Sequence, residues 1–290
     1  MDDTNVILAR SALYIIGLCL AGVPLYLRIS GRTRVGGTAR LGLGLGAVAA
    51  AAAAAWWAAS SIAAMAATPL GDLDYATFSV VADATPIGPV LKARLAACLG
   101  VLLLAALYPR TLWLGLMASV ISIAGAWTGH AGAAEGTAGD IQRAFDAVHL
   151  VAASVWVGAL LVFLGSVARP GIGSAPRTKA VARLEAFATT GTIVVAALAI
   201  TGAINGWLIA RHGFALDSRW SLLLIAKLVL FGAMLGLASL NRWKLTPAYR
   251  SGEAGAERRL AVSLSFETAC AFAIFILVAI IGLSDPGIVS

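Results

Sequence analysis

Long apolar runs separated by short polar segments follow one another along the whole chain. Eight of these runs reach the length of about 20 residues that a helix needs to cross roughly 30 Å of hydrocarbon. Helices are expected because each satisfies its backbone hydrogen bonds internally, whereas a β-barrel would show short alternating strands. The pattern predicts an all-α, polytopic helical bundle in a single integral membrane domain, residues 1–290. The predicted spans are residues 7–29, 39–66, 89–108, 110–128, 142–166, 181–209, 220–243 and 257–283.

The composition agrees with a chain surrounded mainly by lipid. Hydrophobic residues make up 60% of the sequence and charged residues 12%, against about 25% charged residues in soluble domains. Cys19, Cys98 and Cys270 lie inside apolar runs without a C-x-x-C motif, which favours small core residues over a disulfide framework or a thiolate metal site. The first run follows Met-Asp-Asp rather than a basic segment, so we interpret it as a retained helix and not a signal peptide.

The positive charges are distributed unevenly between the two sides of the predicted bundle. Fourteen Lys and Arg residues follow spans one, three, five and seven, and six lie on the opposite side. The positive-inside bias makes the first side cytoplasmic and places both termini in the periplasm. The net charge of +7 is therefore a topology signal, and no basic stripe with interleaved aromatic residues indicates nucleic-acid binding.

The segment GHAGAAEGTAGDIQRAFDAVHLVAASVWVG, residues 129–158, concentrates ionisable residues at the external end of spans four and five. Asp146, His149 and Trp156 fall on one helical face, and His130 reaches the same end from the neighbouring helix. Imidazole and carboxylate groups at membrane depth suit a transition metal ion. Three alternatives remain open: a hydrogen bond between Asp146 and His149, an ion pair between Asp146 and Arg143, or two histidines as axial haem ligands.

Further polar groups interrupt the later spans. Lys227 and Glu267 form either an ion pair between neighbouring helices or, for Glu267, a mid-membrane acceptor for a cation or proton. Asn205 either lines the same pathway or serves as a hydrogen bond between helices. His212 is expected to be a solvated loop residue.

Several other features are expected to serve packing. The pairs Gly42/Gly46, Gly125/Gly129 and Gly232/Gly236 have the four-residue spacing that lets helices approach closely in lipid. Met65 and Met117 are too few for a thioether copper pathway, and we interpret them as packing residues. The external segment between residues 71 and 89 is expected to be a short interfacial helix or a lid.

The chain resembles the CopD family of bacterial copper-resistance membrane proteins. The resemblance rests on TGHA at 128–131, on Asp146-x-x-His149 followed by the Trp156-x-Gly158 step, and on TGAINGW at 201–207. AKLVLFGAMLGLASLNRWKLTP at 226–247 and the helix with Glu267 complete it, so that it covers roughly residues 110–280. One departure is Ala188 in RLEAFATT, where the family often has a serine.

The resemblance implies an eight-helix inner-membrane protein that moves copper from the periplasm towards the cytoplasm, often paired with a CopC-like periplasmic copper carrier. It implies His130, Asp146 and His149 as candidate metal-binding residues. Independently of the resemblance, the polar positions inside the spans make Glu267, Asn205, Lys227 and Trp156 the pathway candidates. Imidazole and carboxylate ligands favour Cu(II) over Cu(I).

Two other functions are compatible with the sequence. One is a small membrane b-type cytochrome with haem held by His130 and His149, and the other is a copper sensor or assembly factor that does not transport. An enzymatic activity is not expected, because no nucleophile–base set, phosphate loop or zinc motif occurs.

Overall fold

The computed structural model describes residues 3–128, 136–167, 174–210, 215 and 218–284. In these ranges the regular elements are helices without a β-strand, apart from an isolated bridge between Arg34 and Arg110. The prediction of an all-α polytopic bundle is confirmed. Seven helices are long and apolar enough to cross a membrane, and Thr111–Trp127 is a shorter apolar helix.

Each predicted span overlaps one of these eight helices, and most boundaries differ by a few residues, although the helices in spans 142–166 and 181–209 begin six and seven residues earlier. The described residues contain ten α-helices: α1 (Thr4–Ile29), α2 (Gly37–Met65), α3 (Tyr75–Ala84), α4 (Ile87–Leu107), α5 (Thr111–Ile123), α6 (Gly136–Val167), α7 (Ser174–Ala210), α8 (Arg219–Leu240), α9 (Thr246–Ser251) and α10 (Ala256–Ile281). A 3-10 turn, Ala124–Trp127, extends α5, and a π-helical turn, Asn241–Leu245, joins α8 to α9.

The segment expected to be an interfacial helix or a lid contains the short helix α3. Asp74 caps its N-terminus, because the backbone N–H of Thr77 donates to Asp74 Oδ1 at 2.8 Å. This hydrogen bond to the ionised form holds the pKa of Asp74 below its usual value.

The two ends of the bundle are distinguished by the loops that meet there. We call the end at which α1, α6 and α8 begin the first end, and the opposite one the second end. At the second end, Val35 N–H donates to the carbonyl of Pro109 at 3.0 Å, and Arg40 donates to the carbonyls of Ala105 and Ala106, both at 2.8 Å. The first end is the one that the Lys and Arg distribution predicts to be periplasmic.

The closest approach between helices in the described residues joins α1 to α6. A Cβ placed on Gly22 would lie 2.9 Å from Gly158 N, and one on Gly158 would lie 2.7 Å from Gly22 Cα. The backbones therefore touch, which requires glycine on both sides. Gly158 is the last residue of the Trp-x-Gly step, so this contact fixes the position of Trp156 two residues earlier.

The glycine pairs predicted from their spacing are not the main packing contacts. Gly42, Gly232 and Gly236 face open space, and Gly46 meets the side chain of Leu20. The prediction was wrong for Gly42, Gly232 and Gly236, because spacing identifies a smooth helix face but does not say whether a second helix or lipid covers it, whereas Gly46 packs against α1 as predicted. Gly125, by contrast, lies against a buried side chain, Arg94.

Candidate functional site

His149 is held by a threonine on the neighbouring helix. Its Nδ1 lies 2.8 Å from Thr201 Oγ1, and the hydroxyl of Thr201 donates to the carbonyl of Ala197 at 2.6 Å. The hydroxyl has a single proton, and the carbonyl can only accept, so Nδ1–H of His149 must donate to Oγ1. The ring is thereby fixed as the Nδ1–H tautomer, and Nε2 keeps its lone pair. A histidine that donates one ring N–H to a neighbour is the usual form of a metal ligand.

Asp146 and Asn205 lie one helical turn from this pair, towards the first end. Helices α6 and α7 are antiparallel, since Arg183 Nη1 donates to Ser166 Oγ at 2.8 Å near the second end and His149 meets Thr201 further along. Asn205 follows Thr201 by four residues and Asp146 precedes His149 by three, so both are displaced by about 5 Å in the same direction. Asn205 Oδ1 is buried and has no hydrogen-bond partner in the described part of the chain.

Lys227 on α8 acts electrostatically on the same site. It interacts favourably with the carboxylate of Asp146 and unfavourably with a charged His149. The described residues contain no ion pair within 4.0 Å between Lys227 and Asp146. Lys227 is therefore a nearby countercharge that leaves the Asp146 oxygens without a direct ionic contact.

The alternatives left open by the sequence have different outcomes. Arg143 Nη2 pairs with Asp140 Oδ1 at 2.7 Å, and the hydrogen-bond partner of His149 Nδ1 is Thr201 rather than Asp146. His130 and His212 lie outside the described residues, so the predictions about them, including haem ligation by His130 and His149, stay predictions.

A second polar cluster lies about 10 Å further along α6, at Trp156. Trp156 Nε1 donates to Glu267 Oε1 and Asn241 Nδ2 donates to Glu267 Oε2, both at 2.9 Å. Glu267 is 3% exposed, and its two donors are uncharged. A carboxylate in such a place is costly unless a proton or a cation neutralises it.

Glu267 and Lys227 do not form the ion pair that their neighbouring helices suggested. Glu267 is absent from the ion pairs among the described residues, and the charged group that acts on Lys227 is Asp146. The two side chains belong to different clusters, because sequence adjacency of helices does not fix their rotation. Asn241 begins the π-helical turn, a backbone irregularity that is frequent at functional sites.

Buried polar atoms without hydrogen-bond partners lie beside both clusters in the described residues. Besides Asn205 Oδ1, they include Asn241 Oδ1 beside Glu267 and Ser263 Oγ, one turn before Glu267 on α10. Buried polar atoms are normally hydrogen-bonded, so each such atom in the described residues indicates a place for a water molecule or an ion.

The described residues supply an incomplete metal-ligand set. No group of three His, Cys, Asp or Glu side chains comes together within them. His149 Nε2 and the Asp146 carboxylate are the ionisable donors at the first cluster, and Asn205 Oδ1 offers a neutral oxygen. His130 would have to provide any further imidazole.

Sequence reasoning missed two residues on which the clusters depend. Thr201 is buried and fixes the His149 tautomer, and Asn241 supplies one of the two donors to Glu267. Thr201 lies in the block TGAINGW, and Asn241 lies in NRWKL. Both are polar residues in apolar helices, so the sequence shows their positions but not their hydrogen-bond partners.

The first prediction concerns the Thr201 hydrogen bond. We expect Thr201→Val to weaken copper binding by about tenfold or more, because the imidazole loses the acceptor that orients it. The matched control is Thr192→Val on the exposed face of the same helix, where the hydroxyl also donates to the carbonyl four residues earlier, at 2.9 Å. Isothermal titration of the purified variants with copper measures the difference; equal affinities in the two variants would show that Thr201 does not position a ligand.

The fold and its apolar helices define a multi-pass membrane protein with buried polar clusters inside the helical bundle. Comparison with known sequences identifies the family. The model of the family described as Copper resistance protein D matches residues 181–281, and that of the Copper resistance protein D-like N-terminal domain matches residues 1–140. The chain belongs to the copper resistance protein D family.

Two relatives illustrate the similarity. Copper resistance protein D of Pseudomonas syringae pv. tomato is 30% identical over 215 residues, which cover 70% of this chain and 69% of the relative. Inner membrane protein YebZ of Escherichia coli (strain K12) is 29% identical over 178 residues, covering 61% of this chain and 60% of the relative. No solved structure matches the chain.

Membership makes this chain a copper-related, multi-pass protein of the inner membrane, as the resemblance implied. One of the two matched regions contains part of each cluster. Thr201, Asn241 and Glu267 lie within the matched residues 181–281, whereas Asp146 and His149 lie on α6 between the two regions.

Proposed function

We propose that this protein carries copper across the bacterial inner membrane, from the periplasm towards the cytoplasm. Copper binds first at His149 and Asp146, with His130 as a further ligand, and then moves along α6 to Glu267. The observation that carries the proposal is the His149–Thr201 hydrogen bond, which engages Nδ1 and leaves the Nε2 lone pair available to a metal ion. The second cluster supports the proposal, because the buried Glu267 carboxylate has no cation beside it in the described residues and can bind an incoming one.

The ligands at the first cluster favour Cu(II). An imidazole nitrogen, a carboxylate and an amide oxygen are harder donors than the thiolates and thioethers that select Cu(I). The three cysteines of the chain are single free thiols that the proposal does not use. A CopC-like periplasmic protein is the proposed donor, delivering copper to the first end.

Lys227 is the positive charge that an incoming copper ion would replace beside Asp146. In the absence of copper, the ammonium group compensates Asp146, and an arriving cation must compete with it. The ammonium group of Lys227 keeps the negative charge of Asp146 stable within the membrane. Because it competes with copper, it also limits the copper affinity of the site, so that copper can leave again.

The second prediction concerns the positive charge of Lys227. We expect Lys227→Gln to bind copper more tightly, on the order of tenfold, because a nearby positive charge no longer repels the ion. Lys244→Gln, which removes the same charge from an exposed position after α8, should leave the affinity unchanged. Competition titration against a copper chelator measures both, and weaker binding by Lys227→Gln would contradict the role given to Lys227.

The transport proposal is tested with the purified protein in liposomes. We expect wild-type protein to move copper into the vesicles, with either Cu(II) or ascorbate-reduced Cu(I) supplied outside, and His149→Ala to reduce the initial rate by at least about tenfold, comparable with the loss of a metal-site group. Vesicles with Thr192→Val provide the control. If vesicles with wild-type protein take up copper no faster than empty vesicles, the transport proposal is wrong. If His149→Ala takes up copper as fast as wild type, the assignment of His149 to the copper site is wrong.

A further inference from the structure

A small cavity lies at the first end of the bundle, away from α7, α8 and their polar clusters. Helices α1, α2, α4 and α5 enclose it, all within the region matched by the N-terminal family model. The polar and aromatic residues that line it are Arg10, Tyr14, Trp57, Arg94, Ser122 and Thr128. The copper pathway uses none of them.

Arg94 is the central residue of this cavity. It is 5% exposed, its Nε donates to the carbonyl of Ile121 at 3.1 Å, and its guanidinium carbon lies 4.4 Å from the centre of the Trp57 ring. Its Nη1 is fully buried and has no hydrogen-bond partner among the described residues. Arg94 is also absent from the ion pairs among the described residues. Burying a guanidinium without a countercharge costs free energy. This cost indicates that an anion binds Arg94 and supplies the missing negative charge.

The other polar groups of the cavity also suit an anion. Ser122 Oγ is buried without a partner in the described part of the chain, and its hydroxyl can donate. Arg10 adds a second positive charge. The space admits about one water-sized group, roughly 10 Å³ for its centre. The cavity is partly open, so one oxygen of a phosphate group can enter it while the rest of the group stays outside.

We propose that Arg94, Arg10 and Ser122 form a binding site for a single phosphate-type anion. A guanidinium provides several N–H donors in a plane and binds phosphate oxygens with short, charge-assisted hydrogen bonds. Arg94 lies seven residues into α4, about 10 Å from its start, at the depth where a phospholipid headgroup can reach. The anion is therefore either the phosphate of an anionic lipid or a free phosphate ion, and both sources use the same donors.

The experiment uses full-length protein purified in detergent and stripped of lipid. Native mass spectrometry counts the phosphatidylglycerol molecules that rebind, and a thermal-unfolding series measures stabilisation by sodium phosphate against sodium chloride at equal ionic strength. The variants are Arg94→Gln, Arg94→Lys and Ser122→Ala. The last removes only an unpartnered hydroxyl and is expected to fold normally. Lys92→Gln, at a side chain 79% exposed on the same helix, and Ser119→Ala on α5 are matched controls.

We expect Arg94→Gln to lower the affinity for the anion by about tenfold or more, the loss of a charged hydrogen bond. Ser122→Ala should lower it by a few-fold and Arg94→Lys by less than Arg94→Gln, because lysine keeps the charge but not the planar N–H donors, whereas both controls keep it. Arg94-dependent retention of one phosphatidylglycerol identifies a lipid phosphate, and Arg94-dependent stabilisation by phosphate alone identifies a free ion. Binding of neither, or binding that is the same in Arg94→Gln and Ser122→Ala as in wild type, would overturn the proposal.

Discussion

Replacing Gly158 with valine is expected to remove most of the folded protein from the membrane. The backbones of Gly22 and Gly158 touch where α1 crosses α6, and any Cβ at position 158 overlaps the main chain of α1. Overpacking costs about 1–3 kcal/mol where side chains can move aside, and a backbone cannot do so without separating the helices. The cost should therefore exceed this range. Immunoblotting of membrane fractions and thermal unfolding in detergent measure the effect.

Gly165→Val is the matched control for this substitution. Gly165 lies on the same helix, seven residues later, with open space around its Cβ position, so the intrinsic cost of valine in a helix is the same. We expect this variant to accumulate like wild type. Equal amounts of folded Gly158→Val and Gly165→Val would contradict the close contact and, with it, the placement of Trp156.

Replacing Glu267 with glutamine is expected to abolish copper transport while copper still binds at the first cluster. Glutamine keeps the size of the side chain and an acceptor for Trp156, but it removes the negative charge that stabilises a cation at this depth. Uptake into liposomes should fall to the background of empty vesicles, a decrease of at least about tenfold if the charge contributes 1.4 kcal/mol or more. Copper affinity measured by titration should change by less than about twofold, because His149 lies about 10 Å away along α6.

The control for Glu267→Gln is Glu257→Gln in the first turn of the same helix. It removes one carboxylate from α10 outside the Trp156–Asn241 network, and both uptake and affinity should stay at the wild-type level. Wild-type uptake by Glu267→Gln would remove Glu267 from the pathway and leave it as a structural acceptor for two hydrogen bonds.

The helical bundle was predictable because lipid imposes a simple rule on the sequence. A span needs a minimum length and few charges, so eight runs of apolar residues predict eight helices without knowledge of their neighbours. The common face of Asp146, His149 and Trp156 was predictable for a similar reason, since it depends only on the repeat of one helix.

The partners of those residues depend on how helices rotate against one another, which a single sequence does not specify. Thr201 lies 52 residues from His149, and Trp156 lies 111 residues from Glu267. The ion pair considered for Lys227 and Glu267 followed from adjacency along the chain, and the structure separates them into two clusters. The Gly22–Gly158 contact was missed for the same reason, and neither residue has a second glycine four residues away on its own helix that would have marked it.

The central claim is that His149 Nε2 binds copper within the membrane, and X-ray absorption spectroscopy of the copper-loaded protein tests it most directly. Wild-type protein and His149→Ala are loaded with one equivalent of copper, and circular dichroism verifies that both are equally helical. The account predicts that the spectrum of His149→Ala has one imidazole nitrogen fewer in the copper coordination shell. The same number of imidazole ligands in both proteins would contradict it.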